Sequence, residues 1–219
     1  MSSPTDERRV PAREGFGEVR ERASRFLAFA ARAPTPAEAE AFVDRRKRER
    51  HDATHVAFAW RIGSAPSESR RASDAGEPAG TAGKPILGAI ESARLSDAVV
   101  AVVRYYGGTN LGTGGLVRAY RTAAERALAA AGVEVVYDTV RLEARCGYDR
   151  AGAVRRLLDP PAVRLIGERF DPEPVFEIEV RRSRLGVLAK DLEGLRIAVR
   201  PLDSGPEVPG PGAGRGKRP

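Results

Sequence analysis

The stretch RYYGGTNLGTGG, residues 104–115, constrains the fold more than any other part of this 219-residue chain. Its glycines separate a valine-rich run, DAVVAVVRYY at 97–106, from an amphipathic segment at about 114–131. The valine-rich run is typical of a strand buried on both faces. Apolar residues at helical spacing after the glycines predict a helix that ends at Gly132. We therefore expect a strand, a glycine-rich turn and a helix in direct succession.

A strand, a glycine-rich turn and a helix in this order can form a binding site for an anion. Glycine permits positive φ and a close approach of ligand to backbone, and the free amides and dipole of a helix N-terminus favour negative charge. The spacing matches neither a Walker loop nor a dinucleotide fingerprint, so tight-turn packing stays open as the alternative to a phosphate contact. The residues predicted to contact phosphate or nucleic acid are Arg104, Gly107, Gly108, Gly112, Gly114, Gly115, Arg118, Arg121 and Lys84.

A second motif, DAGEPAGTAGKP at 74–85, places two carboxylates among glycines before a predicted helix. Two carboxylates can serve as acid and base or hold a metal ion. Alternatively, they hydrogen-bond turn amides while Thr81 caps the helix. No nucleophile or acid–base pair indicates a specific reaction, so we predict neither a catalytic residue nor a cofactor. The motif residues are Asp74, Gly76, Glu77, Pro78, Gly80, Thr81 and Gly83.

Histidine and cysteine give little sign of a metal site. His51 and His55 are four residues apart, but His55 begins a predicted strand, so the two do not share a helix face. Cys146 is the single cysteine and lies on an alternating strand, which predicts a small core residue. We therefore predict no metal ion.

Residues 14–137 form the first patterned region. Residues 19–31 are interpreted as one extended segment, and Thr35 is predicted to cap a helix with Pro36 and Glu38 in its first turn. THVAFAWRI, residues 54–62, alternates as a half-buried strand.

Residues 138–203 form the second region, in which the order βαββαβ predicts a ferredoxin-like arrangement. Ser183 is expected to cap its last helix. Residues 1–13 and the Gly/Pro-rich tail 204–219 are predicted to be disordered.

The net charge of +7 and the pI of about 10 indicate a polyanionic partner. The basic stretch RRKRER at 45–50 contributes to this positive charge. It has a structural explanation as well, because cations stabilise the C-terminus of a helix. No apolar run approaches the roughly 20 residues needed to span a bilayer, and the N-terminus has no apolar signal segment. We expect a cytoplasmic protein without a membrane partner.

Four motifs together resemble the Impact family, which includes bacterial YigZ-type proteins and eukaryotic regulators of translation. They are SRF (24–26), ATHVAFAW (53–60), SDAGEPAGTAGKPIL (73–87) and VVRYYGGTNLGTGGLVRAY (102–120). The resemblance implies an α+β chain whose N-terminal domain has the ribosomal protein S5 domain 2-like fold. It also implies a C-terminal ferredoxin-like βαββαβ domain similar to modules of elongation factor G.

The resemblance and the basic charge together predict a non-catalytic accessory factor of translation that binds RNA or the ribosome. One alternative is a nucleotide-binding protein or enzyme that holds phosphate on the glycine-rich loop. Another is a protein-interaction module with a protein partner in translation control, acting on a starvation or stress response as the eukaryotic relatives do.

Overall fold

The computed structural model describes residues 6–64, 67–202 and 208–209. The chain divides into two compact units. The first unit is Arg9–Glu134, and the second comprises the residues up to Arg8 together with those from Val135 onward. No helix in the described part of the chain is long and apolar enough to cross a membrane.

In its described residues, the first unit is built on a five-stranded antiparallel sheet with three helices. After strand β1 (Glu7–Pro11), the strands of this sheet are β2 (Gly15–Glu21), β3 (Ser24–Arg32), β4 (His55–Ile62), β5 (Ser69–Ser73) and β6 (Ala98–Tyr105). The helices are α1 (Pro36–Glu49), α2 (Gly83–Ser92) and α3 (Gly112–Ala131). The strand order is β2-β3-β6-β4-β5, so β6 lies at the centre.

Strand β6 is buried on both faces, which confirms the prediction from its valines. Val100 and Val102 pack into the cluster that contains α2 and α3, whereas Val99 and Ala101 pack into the cluster that contains α1. Strand β4 is also covered on both sides, because Ala57 and Ala59 join the first cluster and Trp60 joins the second. The half-buried prediction for β4 was wrong, since alanines on one face are small enough for a helix to pack directly on them.

The capping signals were read correctly at two helix ends. The side chain of Thr35 accepts a hydrogen bond from the Glu38 amide, as predicted for α1. Gly132 follows α3 with φ of 67°, a backbone conformation that residues other than glycine rarely adopt. Helix α3 begins at Gly112, two residues earlier than predicted.

Residues 19–31 are not one extended segment. They belong to the antiparallel hairpin of β2 and β3, which pairs Glu21 with Ser24 across Arg22 and Ala23. Arg22 has φ of 52°, which reverses the chain direction. The prediction was wrong because a tight turn without glycine leaves the apolar pattern almost uninterrupted.

The second unit contains a four-stranded antiparallel sheet with the predicted βαββαβ order. After β7 (Val133–Tyr137), whose first two residues fall in the first unit, its elements are β8 (Thr139–Arg145), a short 3₁₀ helix (Tyr148–Arg150), α4 (Ala151–Arg156), β9 (Val163–Arg169), β10 (Val175–Arg181), α5 (Arg182–Gly194) and β11 (Ala198–Pro201). The strand order is β11-β8-β10-β9, with β7 outside this sheet. The names ferredoxin-like and S5 domain 2-like remain predictions.

Two predictions near the ends of the chain were wrong. Residues 7–11 of the segment predicted to be disordered form β1, which lies beside β7 in a third sheet. Ser183 does not cap α5, because its amide and hydroxyl contact Asp6 Oδ2 at 3.3 and 2.7 Å. Both errors involve partners far apart in sequence, for which a local pattern gives no signal. Within the predicted tail, Val208–Pro209 (β12) are described and pair with β7, whereas the rest lies outside the described residues.

Candidate functional site

A cleft of about 480 Å³ lies beside the glycine-rich loop of the first unit. It brings together the two glycine-rich motifs, which are separated by 18 residues or more along the chain. Its lining residues are Thr54, His55, Gly76, Glu77, Pro78, Arg104, Tyr106, Asn110, Leu111, Gly112, Thr113 and Leu116. A groove of about 550 Å³ along α1 is larger, but it contains neither motif. The smaller cleft is therefore the candidate site.

Asp74 organises the turn that forms one wall of the cleft. Its Oδ1 accepts hydrogen bonds from the amides of Ala82 and Gly83 at 3.0 and 2.8 Å, and its Oδ2 accepts one from Gly80 at 2.8 Å. Burial opposes ionisation of Asp74, but these amides and the charge of Lys84 hold its pKa below the usual value. The Asp74 carboxylate is thus committed to the turn and to the start of α2.

Thr81 does not cap α2. Its hydroxyl donates to the carbonyl oxygen of Pro78 at 2.7 Å, and Ala82 occupies the N-cap position. The suggested cap was wrong because Asp74, eight residues before Ala82, supplies the acceptor for the helix amides.

Glu77 holds a buried polar network beneath the cleft. Nη1 of Arg104 donates to both carboxylate oxygens of Glu77 at 2.7 and 2.8 Å, and the Tyr120 hydroxyl donates to Oε1 at 2.7 Å. The side chains of Arg104 and Glu77 are 7% and 2% exposed. Burial, reinforced by the hydrogen bond to Glu77, raises the pKa of Tyr120, so it remains a donor.

Arg104 therefore forms the floor of the cleft, with its charge balanced inside the protein. Its guanidinium lies 5.4 Å from the ring centroids of both Phe26 and Tyr106. Direct contact between Arg104 and a phosphate stays a prediction. In the structure, Arg104 also neutralises the buried carboxylate of Glu77.

The loop glycines differ in what they require of the chain. A Cβ at Gly107 would overlap the backbone of Ala23, and the Gly107 amide donates to Ser24 Oγ at 3.3 Å. Gly108 and Gly112 have φ of 82° and 68°, with open space around them. Gly107 thus permits close packing, whereas Gly108 and Gly112 permit the turn.

The N-terminus of α3 opens into this cleft without a capping group. Leu111 occupies the N-cap position and supplies no side-chain hydrogen bond. In the part of the chain that the structure describes, the amides of Gly112, Thr113 and Gly114 meet no acceptor. The first turn contains no acidic residue. Arg118 Nη1 lies 3.6 Å from where a Cβ on Gly114 would stand, which adds a cation to the positive helix end.

Three further residues that were predicted to contact phosphate do not line the cleft. Arg121 donates to Glu125 Oε1 at 2.8 Å and to Ser92 Oγ at 3.1 Å, on the side of α3 that faces α2. Lys84 is exposed in the first turn of α2 and does not line the cleft. Gly115 is buried, and a Cβ there would stand 3.0 Å from that of Leu111. Their roles in binding remain predictions.

His55 lines the cleft, although it was not predicted to contact a ligand there. Its Nδ1 lies 2.9 Å from the carbonyl oxygen of Ala75. Because that oxygen can only accept, Nδ1 donates this hydrogen bond, an arrangement that in the neutral tautomer leaves Nε2 as an acceptor. Among the residues that the structure describes, no cluster of His, Cys, Asp and Glu could hold a metal ion. The alternation of β4 placed His55 on a face, but no local signal placed it beside Gly76.

Cys146 lies in the core of the second unit, as predicted. Burial, together with the negative charge of Asp149, raises the pKa of its thiol. A buried thiol kept protonated is a poor nucleophile, so this residue adds packing and no chemistry.

Known proteins are similar to this chain over the residues of the cleft and over most of its length. The model of the Impact N-terminal domain matches residues 22–128. An IMPACT family member of Haemophilus influenzae is 35% identical over 187 residues, which cover 83% of this chain and 90% of that protein. The Escherichia coli IMPACT family member YigZ is 37% identical over 171 residues, covering 77% and 83%. A crystal structure described as a hypothetical protein is 29% identical, with a TM-score of 0.64, and covers 90% of this chain and 97% of that one.

Proposed function

This chain belongs to the Impact family, and from that premise we propose that it is a non-catalytic accessory factor of translation that binds RNA or the ribosome. The resemblance to regulators of translation supports a role in translation. The net charge of +7 supports a polyanionic partner, because a cationic protein attracts polyanions over a long range.

The observation that carries this proposal is the uncapped, positively polarised N-terminus of α3. Proteins commonly place an acidic residue at such an end, where it stabilises the helix by about 0.3–1 kcal/mol. Here the first turn contains no acid, and Arg118 lies against it instead. Glu77, whose carboxylate lines the cleft, is already paired with Arg104. An external phosphate would satisfy the free amides and pair with Arg118.

We expect the protein to sediment with ribosomes at about 50 mM salt and to dissociate by about 200 mM, because bound phosphates release counterions. Replacing Arg118 with alanine should weaken binding about tenfold, the loss of one charge-assisted hydrogen bond. Arg126→Ala is the matched control, since it removes an exposed arginine of the same helix that donates to the carbonyl oxygen of Glu18 and is not among the predicted contacts. Quantitative co-sedimentation at both salt concentrations measures each effect.

Absence of the parent protein from the ribosome pellet at low salt would overturn the proposal. Equal weakening by the two variants would mean that total charge, and not the N-terminus of α3, determines binding.

A second candidate function, binding of a nucleotide or another small phosphorylated ligand, is favoured by the cleft itself. Its volume of about 480 Å³ lies within the range of small-molecule pockets. His55 Nε2 and the α3 amides would offer an acceptor and donors to such a ligand.

We expect ATP or GTP with Mg²⁺ to raise the melting temperature of the parent protein if this candidate holds. Ligand at about 100 times its Kd stabilises a protein by about 2.7 kcal/mol, which a thermal-shift assay detects easily. A melting temperature unchanged by either nucleotide would remove the support for this candidate.

A further inference from the structure

The sheet of the second unit has one face that α4 and α5 cover and one face that they do not. Phe176, Ile178 and Val180 of β10 belong to the hydrophobic core together with residues of both helices. Side chains alternate along a strand, so the residues between them lie on the opposite face. That face is strongly charged, and its charged residues are Arg141, Glu143, Arg145, Arg164, Arg169, Glu177, Glu179, Arg181 and Arg200.

Strand register arranges these charges in rows. Glu179 of β10 lies opposite Arg141 of β8 on one side and Arg164 of β9 on the other. It forms an ion pair with Arg164 and a longer one, 3.7 Å, with Arg141.

A similar arrangement surrounds Glu143 of β8. Its Oε1 accepts from Arg145 at 2.8 Å and its Oε2 accepts from Arg169 at 2.9 Å. Arg200 of β11 lies directly opposite it in the register.

The carboxylates lie beneath and the guanidinium groups lie outside. The side chains of Glu143 and Glu179 are 6% and 1% exposed, whereas those of the four arginines paired with them are between 39% and 53% exposed. Among the described residues of this face, six arginines against three glutamates give a net charge of +3. Buried carboxylates thus hold the arginines in fixed positions while the surface that solvent meets remains cationic.

We propose that this face of the sheet is a second RNA-contact surface, which binds the phosphate backbone of double-stranded RNA. The identity of the polyanion as RNA rests on the proposed function, but the residues are independent of the glycine-rich loop. Guanidinium groups bind phosphate oxygens in a planar, bidentate manner. The described outward residues of the sheet itself include no aromatic side chain, and the ring of Tyr137 beside it is already stacked with the guanidinium of Arg181, 3.5 Å from the ring centroid, so no free ring is offered to an unpaired base. Backbone contact to a duplex fits such a surface better than sequence-specific binding of a single strand.

The test measures the affinity of the full chain for a labelled RNA duplex of about 20 base pairs by fluorescence anisotropy, over a range of salt concentrations. The test variant carries Arg141→Gln, Arg145→Gln and Arg200→Gln. It leaves Glu143 paired with Arg169 and Glu179 paired with Arg164, so that no buried carboxylate loses both partners. The matched control carries Arg156→Gln, Arg184→Gln and Lys190→Gln, three exposed cations on the helices of the same unit.

We expect the test variant to bind at least tenfold more weakly than the control, and the slope of log Kd against log salt to fall by about 2 to 3. Equal binding by the test variant and the parent would overturn the inference while leaving the proposed function standing. Equal weakening by both variants would also overturn it, because net charge alone would then explain the effect.

A parent protein that does not bind the duplex at low salt would overturn the inference, and co-sedimentation with ribosomes would show separately whether the proposed function survives. Displacement of the RNA by polyglutamate at equal negative charge would indicate an acidic protein surface as the partner and would overturn the assignment to RNA.

Discussion

Replacing Gly107 with alanine is expected to lower the free energy of unfolding by about 2–3 kcal/mol, whereas the same substitution at Gly114 should leave it unchanged or raise it. A Cβ at Gly107 would overlap the backbone carbon and oxygen of Ala23, in the turn between β2 and β3. Neither backbone segment can move without disturbing the pairing of β3 with β6. A Cβ at Gly114 meets only the flexible end of Arg118.

Urea denaturation of the two variants beside the parent measures this difference. Alanine within a helix is favoured over glycine by up to about 1 kcal/mol, so Gly114→Ala also tests whether the start of α3 is a stable helical turn. Similar losses in both variants would show that the loop packs differently from the structure described. Gly114→Ala with normal stability and weakened ribosome binding would place the ligand against the backbone of α3.

Removing Arg104 should destabilise the first unit by about 3–5 kcal/mol, because Glu77 would remain buried with its negative charge uncompensated. Tyr120 alone would then stabilise that carboxylate through one hydrogen bond. Arg121→Ala is the control, since its ion pair is exposed on the surface and should change stability by less than about 1 kcal/mol. Chemical denaturation of Arg104→Ala and Arg121→Ala checks the prediction.

A double variant separates charge burial from packing. Arg104→Met combined with Glu77→Gln removes both charges while keeping similar volumes, and should recover a large part of the lost stability. If the double variant is as unstable as Arg104→Ala, the loss comes from packing around Phe26 and Tyr106 and not from an unpaired carboxylate. The result also matters for binding experiments, because a loss of RNA binding in an Arg104 variant is meaningful only with its stability measured.

Local signals in the sequence predicted much of the first unit. Thr35 and Glu38 mark a helix start because the cap and its acceptor are three residues apart. The valines of β6 indicated a strand buried on both faces, and apolar residues at helical spacing predicted most of α3. Signals failed where pairing joined distant segments, as for β1, which a polar and irregular sequence gave no reason to expect.

The candidate site, too, was predicted from the sequence only in part. Both motifs were identified from their glycines, because unusual backbone conformation and close packing demand that residue within a short stretch. The roles of individual side chains were not accessible in this manner. Arg104 was predicted to contact phosphate or nucleic acid, yet its partner Glu77 is 27 residues away, and Tyr120 is 43 residues from that same carboxylate.

The amino-acid sequence by itself determined where the chain turns, which segments form strands and helices, and that the protein is strongly basic. Each of these properties depends on residues close together along the chain or on composition. Tertiary structure alone decided which charges are neutralised inside the protein and which remain for a partner. Burial and pairing depend on the distance between side chains in space, and residues far apart in sequence carry no local record of that distance.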